Sequence, residues 1–247
     1  MGYYKNNTPF DDEIEVLTST RQDGFSSGPY ESFNLSYNVG DDPNLVLQNR
    51  EKLCKDLNID PASLIIPEQK NTDIVLKIND IQDNRICDAL YTNNKDLVLS
   101  IIHSDCAPIF LYAKDKQIIA AIHSAINGSF LQIVKKTVKT LITKEGVDPK
   151  SIYVIYGPGV LFSHIIVDEK IREKAEKLGY LNCIKQTFDN LYLDVNLLNY
   201  MQLREMGVPS KNIILNKYDT YENANLFFSS MRNNTTGRMI SLIKFKK

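Results

Sequence analysis

Apolar and polar residues along this chain follow two periods, one typical of helices and one typical of strands. Runs rich in β-branched and aromatic residues, bounded by turn residues, predict strands. These strands lie at about 14–19, 64–66, 73–78, 97–102, 107–112, 117–123, 151–156, 212–216 and 238–245. Four stretches with helical spacing begin at a polar cap and end near a turn or a glycine. They are a helix over about 43–57 after Asp42, one from Ser129 to Gly146, one from Asp168 to Gly179, and one from Asp194 to Gly207.

Strands that meet in hairpins and are separated by single helices predict an α+β fold, with mixed β-sheets and helices packed outside them. The chain has 247 residues and is 43% apolar, which is enough to bury a large core. No linker, low-complexity tract or internal repeat marks a boundary within it. We therefore expect a single domain over 1–247.

One predicted hairpin brings a cysteine towards a histidine. Its strands, 107–112 and 117–123, are separated by Lys114-Asp-Lys116. If the loop is Lys114 and Asp115 alone, Cys106 lies directly opposite His123, with Cβ atoms about 4.5 to 5.5 Å apart. A three-residue loop would shift the register by one and place the two side chains on different faces of the sheet. A buried cysteine packed beside an unrelated histidine is the plain structural alternative.

A thiolate beside an imidazole can bind a metal or exchange a proton with the ring. The four cysteines of the chain are scattered without CxxC spacing, which argues against a disulfide framework and against a structural zinc ribbon. The sequence therefore predicts that Cys106 and His123 belong to a site.

Charge and hydropathy exclude several partners. The formal net charge is −1, with acidic and basic residues interspersed, so nucleic-acid binding is not expected. No apolar run reaches the roughly 20 residues that span a bilayer, and the first residues lack a signal-peptide pattern. We expect a cytoplasmic protein that does not bind membranes, present as a monomer or a weak homodimer.

Short motifs in a fixed order extend over nearly the whole chain. They are Ser19-Thr-Arg21, Gly24-Phe-Ser26, Gly28-Pro-Tyr30, Ser32-Phe-Asn-Leu35, Val39-Gly-Asp-Asp42, Asn49-Arg50, Asp88-Ala89, Asp105-Cys106, His123, Gly157-Pro158, Tyr192-Leu-Asp194, Phe227-Phe-Ser229, Arg232 and Thr236-Gly-Arg238. With these motifs the chain resembles the bacterial multicopper polyphenol oxidases or laccase-domain proteins, a family also associated with purine nucleoside phosphorolysis and peptidoglycan editing. The resemblance implies a mixed α/β domain with helices outside central sheets, in agreement with the predicted fold.

The resemblance also implies a metal site. In this family a histidine of a Gln-x-His motif, the cysteine of Asp-Cys and a later histidine hold a zinc ion, which was earlier proposed to be copper. The last two correspond to Cys106 and His123, but Gln69-Lys-Asn71 places an asparagine at the first position. An amide oxygen is a poor zinc ligand beside a thiolate and an imidazole. We therefore expect either zinc, with copper less favoured, or no metal.

Two other histidines are candidates for the missing ligand. His164 follows Gly157-Pro158 in a loop and is slightly preferred. His103 alternates to the opposite face from Cys106 on a regular strand, so it would need a β-bulge at Ser104-Asp105. Because the chain has three histidines in total, it has no second cluster for a multicopper centre, and laccase activity is not expected.

The activity implied by the resemblance is cleavage of the N-glycosidic bond of adenosine, inosine or guanosine with phosphate as acceptor. A phosphate held by an arginine attacks ribose C1′, while a group near the ligand cluster protonates the leaving purine. His123 suits this acid role because the unperturbed pKa of histidine lies near working pH. Arg50 is the first candidate for binding the phosphate, followed by Arg21 and Arg238.

Two alternatives remain open at this point. Cys106, activated by His123, would serve as the nucleophile of an amide hydrolase of the peptidoglycan-editing type, which needs no metal. Alternatively, three altered motifs indicate a degenerate family member that binds a partner without catalysis. They are Asn71 for the first histidine, His123-Ser-Ala-Ile-Asn-Gly128 without the tryptophan and arginine of the family motif, and Ser230-Met231 for its usual Tyr-Arg.

Overall fold

The strands of this computed structural model, which describes residues 2–79 and 86–246, form three separate sheets. The strands are β1 (Tyr3–Asn6), β2 (Ile14–Ser19), β3 (Leu64–Ile65), β4 (Val75–Lys77), β5 (Ala89–Thr92), β6 (Val98–His103), β7 (Ala107–Ala113), β8 (Ile118–Ser124), β9 (Ile152–Tyr156), β10 (Ile166–Val167), β11 (Ile184–Gln186), β12 (Leu191–Leu193), β13 (Ile213–Ile214) and β14 (Met239–Phe245). The α-helices are α1 (Pro43–Asp56), α2 (Ile126–Phe130), α3 (Ile133–Glu145), α4 (Glu169–Lys177) and α5 (Val195–Glu205).

The two larger sheets are mixed. A five-stranded sheet has the order β1-β2-β14-β6-β3, and a six-stranded sheet has the order β13-β9-β7-β8-β5-β4. A small sheet of order β10-β12-β11 packs with α4 and α5. The predicted α+β class, with mixed sheets and outer helices in one domain, is confirmed.

The main core lies between the two larger sheets. Val16, Leu99 and Ile243 of the first sheet share one buried cluster with Phe110 and Ile119 of the second. Successive residues of a strand point to opposite faces, so the neighbours of Phe110 on β7 project away from this cluster. They pack under α3 and α5, and every residue of β7 is therefore buried.

Helix α1 covers the outer face of the five-stranded sheet, where Leu53 packs with Leu17 and Leu242. Its predicted cap is confirmed, because the Asp42 carboxylate accepts a hydrogen bond from the Asn44 amide at 2.8 Å. None of the helices in the described part of the chain is long and apolar enough to cross a bilayer.

The predicted ends of the other helices are mostly confirmed. Asp168 and Asp194 cap α4 and α5, and Gly179 and Gly207 follow them with positive φ. The predicted cap at Ser129 is wrong. Ser129 lies inside α2 and its hydroxyl bonds to that of Ser124, because the chain forms a short extra helix before α3 starts.

The predicted hairpin is present as β7 and β8, but neither of the considered loop lengths is correct. The loop has four residues, 114–117, and Gln117 adopts a positive φ of 49°. Ala113 pairs with Ile118, and His123 therefore pairs with Pro108 rather than with Cys106. The register differs from the predicted one by two positions, and a shift of two leaves every side chain on its predicted face.

Candidate active site

The candidate site lies where strands of the two large sheets end together. Strand β6 ends at His103, beside the start of β14 and its preceding residue Arg238. Strand β8 places His123 opposite Pro108, close to Cys106 at the start of β7. A bend at 104–106 joins β6 to β7 and so carries the chain from one sheet to the other. Chemistry-bearing residues of both sheets thereby meet at one edge of the core.

Asp88 holds the imidazole of His123. The Nδ1–H of His123 donates to Asp88 Oδ1 at 2.8 Å, and both side chains are buried. Burial by itself lowers the pKa of His123, but hydrogen bonds with Asp88 and then Cys106 outweigh it and raise the pKa to about 9. The pKa of Asp88 is held below its ordinary value, because hydrogen bonds from His123 and Thr72 outweigh its burial.

The Asp88 carboxylate also organises the turn before β4. It accepts backbone hydrogen bonds from Lys70 at 3.2 Å, Asn71 at 3.1 Å and Thr72 at 2.6 Å, and one from the Thr72 hydroxyl at 2.8 Å. The Asn71 amide uses Oδ1, the oxygen that also accepts from His123. Residue 71 is thus fixed directly beside the histidine ring.

Cys106 is a hydrogen-bond partner of His123 and is partly exposed. Asp88 occupies Nδ1 of the ring, so Nε2 is the nitrogen left to face the thiol. The contact between Cys106 and His123 that the hairpin predicted is therefore present, although the pair is diagonal across the strands. Cys106, His123 and Asp88 thus follow one another in hydrogen-bonded order, from the partly exposed cysteine to the buried aspartate.

Asp105 fixes the bend that carries Cys106. Its carboxylate accepts hydrogen bonds from the Thr220 hydroxyl at 2.9 Å, the Ser230 hydroxyl at 2.8 Å and the Met231 amide at 3.0 Å. Ser230 also bonds to Ser104 at 2.9 Å. Residues far away in sequence thus anchor Ser104 and Asp105, the two residues that precede the cysteine.

The three candidate phosphate ligands are not equivalent. Arg238 interacts electrostatically with Asp105 and Cys106. One of its terminal guanidinium nitrogens, Nη1, donates to the backbone carbonyls of Thr236 and Gly237. Burial lowers the pKa of Arg238, and the electrostatic influence of Asp105 and Cys106 counteracts this. Of the three arginines, Arg238 is therefore the one that interacts electrostatically with Cys106.

Arg50 and Arg21 contact other parts of the protein. Arg50 donates to the Leu35 carbonyl at 2.9 Å and stacks over the Tyr37 ring at 4.3 Å. Arg21 donates to the Glu31 carbonyl and lies over the Phe228 ring. No described contact joins either guanidinium to Cys106 or His123, which differs from the predicted ranking of these arginines.

His103 lies in the core beside the site. Its Nε2 is 2.7 Å from the Ser241 hydroxyl, which in turn is 2.7 Å from the Thr18 hydroxyl. Its Nδ1 is buried without a hydrogen-bond partner among the described residues. Burial, aided by the charges of His123 and Arg238, lowers the pKa of His103 to about 3, so the ring is neutral.

His164 belongs to a separate cluster. Its Nε2 lies 2.8 Å from Glu222 Oε1 and 3.5 Å from Asp219 Oδ2, and its ring stacks on Tyr221 with centroids 4.1 Å apart. Two carboxylates thus face Nε2 of this ring. The described contacts do not connect His164 with Cys106.

The described residues do not fit a resident metal ion. In ranges 2–79 and 86–246 no three or more histidine, cysteine, aspartate or glutamate side chains are grouped so that they could hold one. Cys106 and His123 supply two donors, whereas protein zinc sites use three or four. Asn71 stands where the expected third donor would be.

Asp88 and Asp105 belong to two of the sequence motifs, but the sequence alone assigns no role to either residue. A signal was available for Asp88, since an isolated aspartate between Cys87 and the apolar strand β5 needs polar partners if it is buried. Nothing local indicated that Thr220 and Ser230 bind Asp105, because these contacts span more than one hundred residues of sequence.

Comparison with known proteins gives consistent matches over nearly the full length. The model of the family described as multi-copper polyphenol oxidoreductase laccase matches residues 15–246. Purine nucleoside phosphorylase YlmD of Bacillus subtilis (strain 168) is 29% identical over 249 residues, which cover 95% of this chain and 90% of the relative. Purine nucleoside phosphorylase YlmD of Staphylococcus aureus is 30% identical over 244 residues, covering 93% and 91%.

Two crystal structures show the same fold. YlmD from Geobacillus stearothermophilus superposes with a TM-score of 0.94 and 27% identity, covering 100% of this chain and 97% of the other. The hypothetical protein YfiH of Bacillus licheniformis has a TM-score of 0.90 and 26% identity, covering 94% and 93%.

Proposed function

This chain belongs to the multi-copper polyphenol oxidoreductase laccase family, and from that premise we propose that it is a purine nucleoside phosphorylase. Two relatives of similar length carry that name. The observation that carries the proposal is the hydrogen-bonded order from Cys106 through His123 to the buried Asp88, with Arg238 in electrostatic interaction with the cysteine. This arrangement offers a proton donor and an anion-binding group at one site.

In the proposed reaction an oxygen of hydrogen phosphate forms a bond to ribose C1′ as the bond from C1′ to the purine nitrogen breaks. The electron pair of that bond moves to the purine, and His123 gives the purine a proton. The proton that phosphate loses on becoming the ribosyl ester restores His123. Arg238 holds the phosphate, because a guanidinium pairs well with its oxygens. Asp88 keeps the ring oriented throughout.

The test is a panel of adenosine, inosine and guanosine with purified protein, with and without phosphate. We expect free base and ribose 1-phosphate in equal amounts, formed only when phosphate is present. His123→Gln, which retains a polar side chain but cannot act as an acid, should lose the activity, whereas the remote His164→Gln should keep it. Release of base at the same rate without phosphate, or no release from any of the three, would refute the proposal.

A second function is favoured by the same line of residues. Cysteine, histidine and aspartate in hydrogen-bonded order also form a nucleophile, base and orienting group for amide hydrolysis. Substitution of the cysteine separates the two reactions. If Cys106→Ala retains phosphorolysis, the sulfur is not the acid or a required ligand there, whereas hydrolysis through a thioester cannot survive this change. A protein inactive in both assays would instead be a binding protein.

We propose that the protein acts in the cytoplasm. All four cysteines, Cys54, Cys87, Cys106 and Cys183, are free thiols, as is usual in a reducing compartment. Nucleosides and inorganic phosphate are also available there. Fractionation of cells that express the tagged chain would test this location.

A further inference from the structure

We infer that the identity of residue 71 decides whether this site binds a metal, and that this chain, with Asn71, works without a resident zinc or copper ion. Asn71 lies beside His123, hydrogen bonds hold the turn that contains Asn71, and the other two histidines already have partners.

Residue 71 lies beside His123, one of the two donors that the chain retains. The Asn71 amide and the His123 ring both donate to Oδ1 of Asp88, at 3.1 Å and 2.8 Å. A histidine at 71 would start from this same backbone position beside His123 and would give the chain a third donor of the kind that zinc prefers. Asparagine offers an amide oxygen, which competes poorly for zinc with thiolate and imidazole.

The turn at 70–72 is held together without a metal. Asn71 has a φ of 57°, a left-handed conformation that asparagine tolerates better than most residues. Its carbonyl accepts a hydrogen bond from the Asn127 side chain at 2.9 Å, and Asp88 binds the amides on both sides of it. A zinc site often supplies folding energy to the segments that it joins. In this chain hydrogen bonds join them.

The other histidines are engaged elsewhere. His103 has one ring nitrogen on the Ser241 hydroxyl, and His164 is paired with Glu222 and stacked on Tyr221. Both oxygens of the Asp88 carboxylate accept hydrogen bonds, from the His123 ring and from the turn at 70–72. Asp88 therefore orients the histidine rather than serving as a further metal ligand. Two protein donors therefore remain for a metal, Cys106 and His123, and no described residue completes a set of three.

The metal content of the purified protein tests this inference without an assay of activity. We would purify the full-length protein from zinc-supplemented medium, dialyse it against a chelator, and measure zinc and copper by mass spectrometry. The wild type should retain far less than one ion per chain. Asn71→His should retain about one zinc per chain, with an affinity more than about a hundredfold higher, since even outer-shell losses cost 10- to 100-fold.

Three variants make the comparison specific. Asn71→Gln enlarges the side chain without adding an imidazole and should stay metal-free. Asn71→His combined with Cys106→Ala should lose the gained zinc, and cobalt in Asn71→His should show a thiolate charge-transfer band that this double variant lacks. Circular dichroism and thermal melting of each variant check that the fold is intact.

The wild-type protein is itself a sufficient test if Asn71→His fails to fold. Stoichiometric zinc or copper in the dialysed wild type, lost on Cys106→Ala, would overturn the inference. If His103→Ala or His164→Ala also removes that ion, the missing ligand has been supplied by that histidine instead. A folded Asn71→His variant that gains no metal would show that residue 71 does not decide. Because none of these measurements involves a nucleoside, they are independent of the proposed phosphorolysis.

Discussion

Asp88 Oδ1 accepts a hydrogen bond from His123 Nδ1 at 2.8 Å, and both residues are buried. The carboxylate fixes the ring orientation and stabilises a positive charge on it, and it leaves the other ring nitrogen for Cys106. It also ties this ring to the turn at residue 71. The acid strength of His123 and the placement of residue 71 therefore depend on the same buried carboxylate.

Replacement of this carboxylate should change the titration of the ring. In Asp88→Asn the pKa of His123 should fall well below about 9, because burial, which lowers it, is then opposed by fewer interactions. With only three histidines in the chain, the ring protons can be followed individually by NMR in metal-free protein. Thr72→Val, which removes one hydrogen bond from the other carboxylate oxygen, is the control and should shift the pKa much less.

The stability of the protein should depend on pH with a defined sign. The pKa of His123 is raised from 6.5 to about 9 on folding. A raised folded-state pKa means that its contribution is fully present below pH 6.5 and is lost as the pH rises through about 9. Urea midpoints of wild type should therefore fall between pH 6.5 and 9 more steeply than those of His123→Gln. Parallel curves for the two proteins would contradict the raised pKa.

Substitution of the candidate arginines should change the KM for phosphate to different degrees. Arg238→Ala should raise the KM for phosphate by about tenfold or more, because a charge-assisted contact is worth about 1.5 to 3 kcal/mol. Arg50→Ala, which loses the stacking on Tyr37, should leave this KM within about twofold when the data are compared at equal folded fraction. The reverse result would restore Arg50 as the phosphate ligand.

The anchor of the cysteine bend should contribute to stability. Thr220→Val removes the hydroxyl that donates to Asp105 Oδ1 inside the protein, and an unsatisfied buried acceptor costs about 1 to 3 kcal/mol. Urea unfolding should show a loss in this range. Thr143→Val, at an exposed helix position where the hydroxyl bonds only to the Lys139 carbonyl in the described structure, should change the free energy of unfolding by less than about 0.5 kcal/mol.

Chelators should not affect the reaction of the wild type. After prolonged treatment with EDTA, the rate of phosphorolysis should remain unchanged, because its acid and its phosphate ligand are side chains of the protein. A matched sample with zinc restored serves as the comparison. Loss of the rate on chelation and its recovery on addition of zinc would show that the reaction depends on a metal.

Local patterns predicted much of this fold from sequence. The caps at Asp42, Asp168 and Asp194 gave the starts of three helices, because a cap and its first turn involve neighbouring residues only. The short strands around 166, 184 and 192 escaped notice, since two or three residues are too few to establish an alternation. The cap at Ser129 failed because a short extra helix has the same local signals as a cap.

The sequence by itself determined which chemical groups are available and that Cys106 and His123 belong to one hairpin. The four-residue loop, which only the structure shows, decided that the register keeps them on one face. The sequence also determined that the first expected metal ligand is an asparagine. Tertiary structure alone decided that Asp88 orients His123, that Asp105 is held by Thr220, and that Arg238 rather than Arg50 interacts electrostatically with the cysteine. The reason is physical: periodicity reports the direction of side chains within one element, whereas contacts between distant segments depend on how the two large sheets pack against each other.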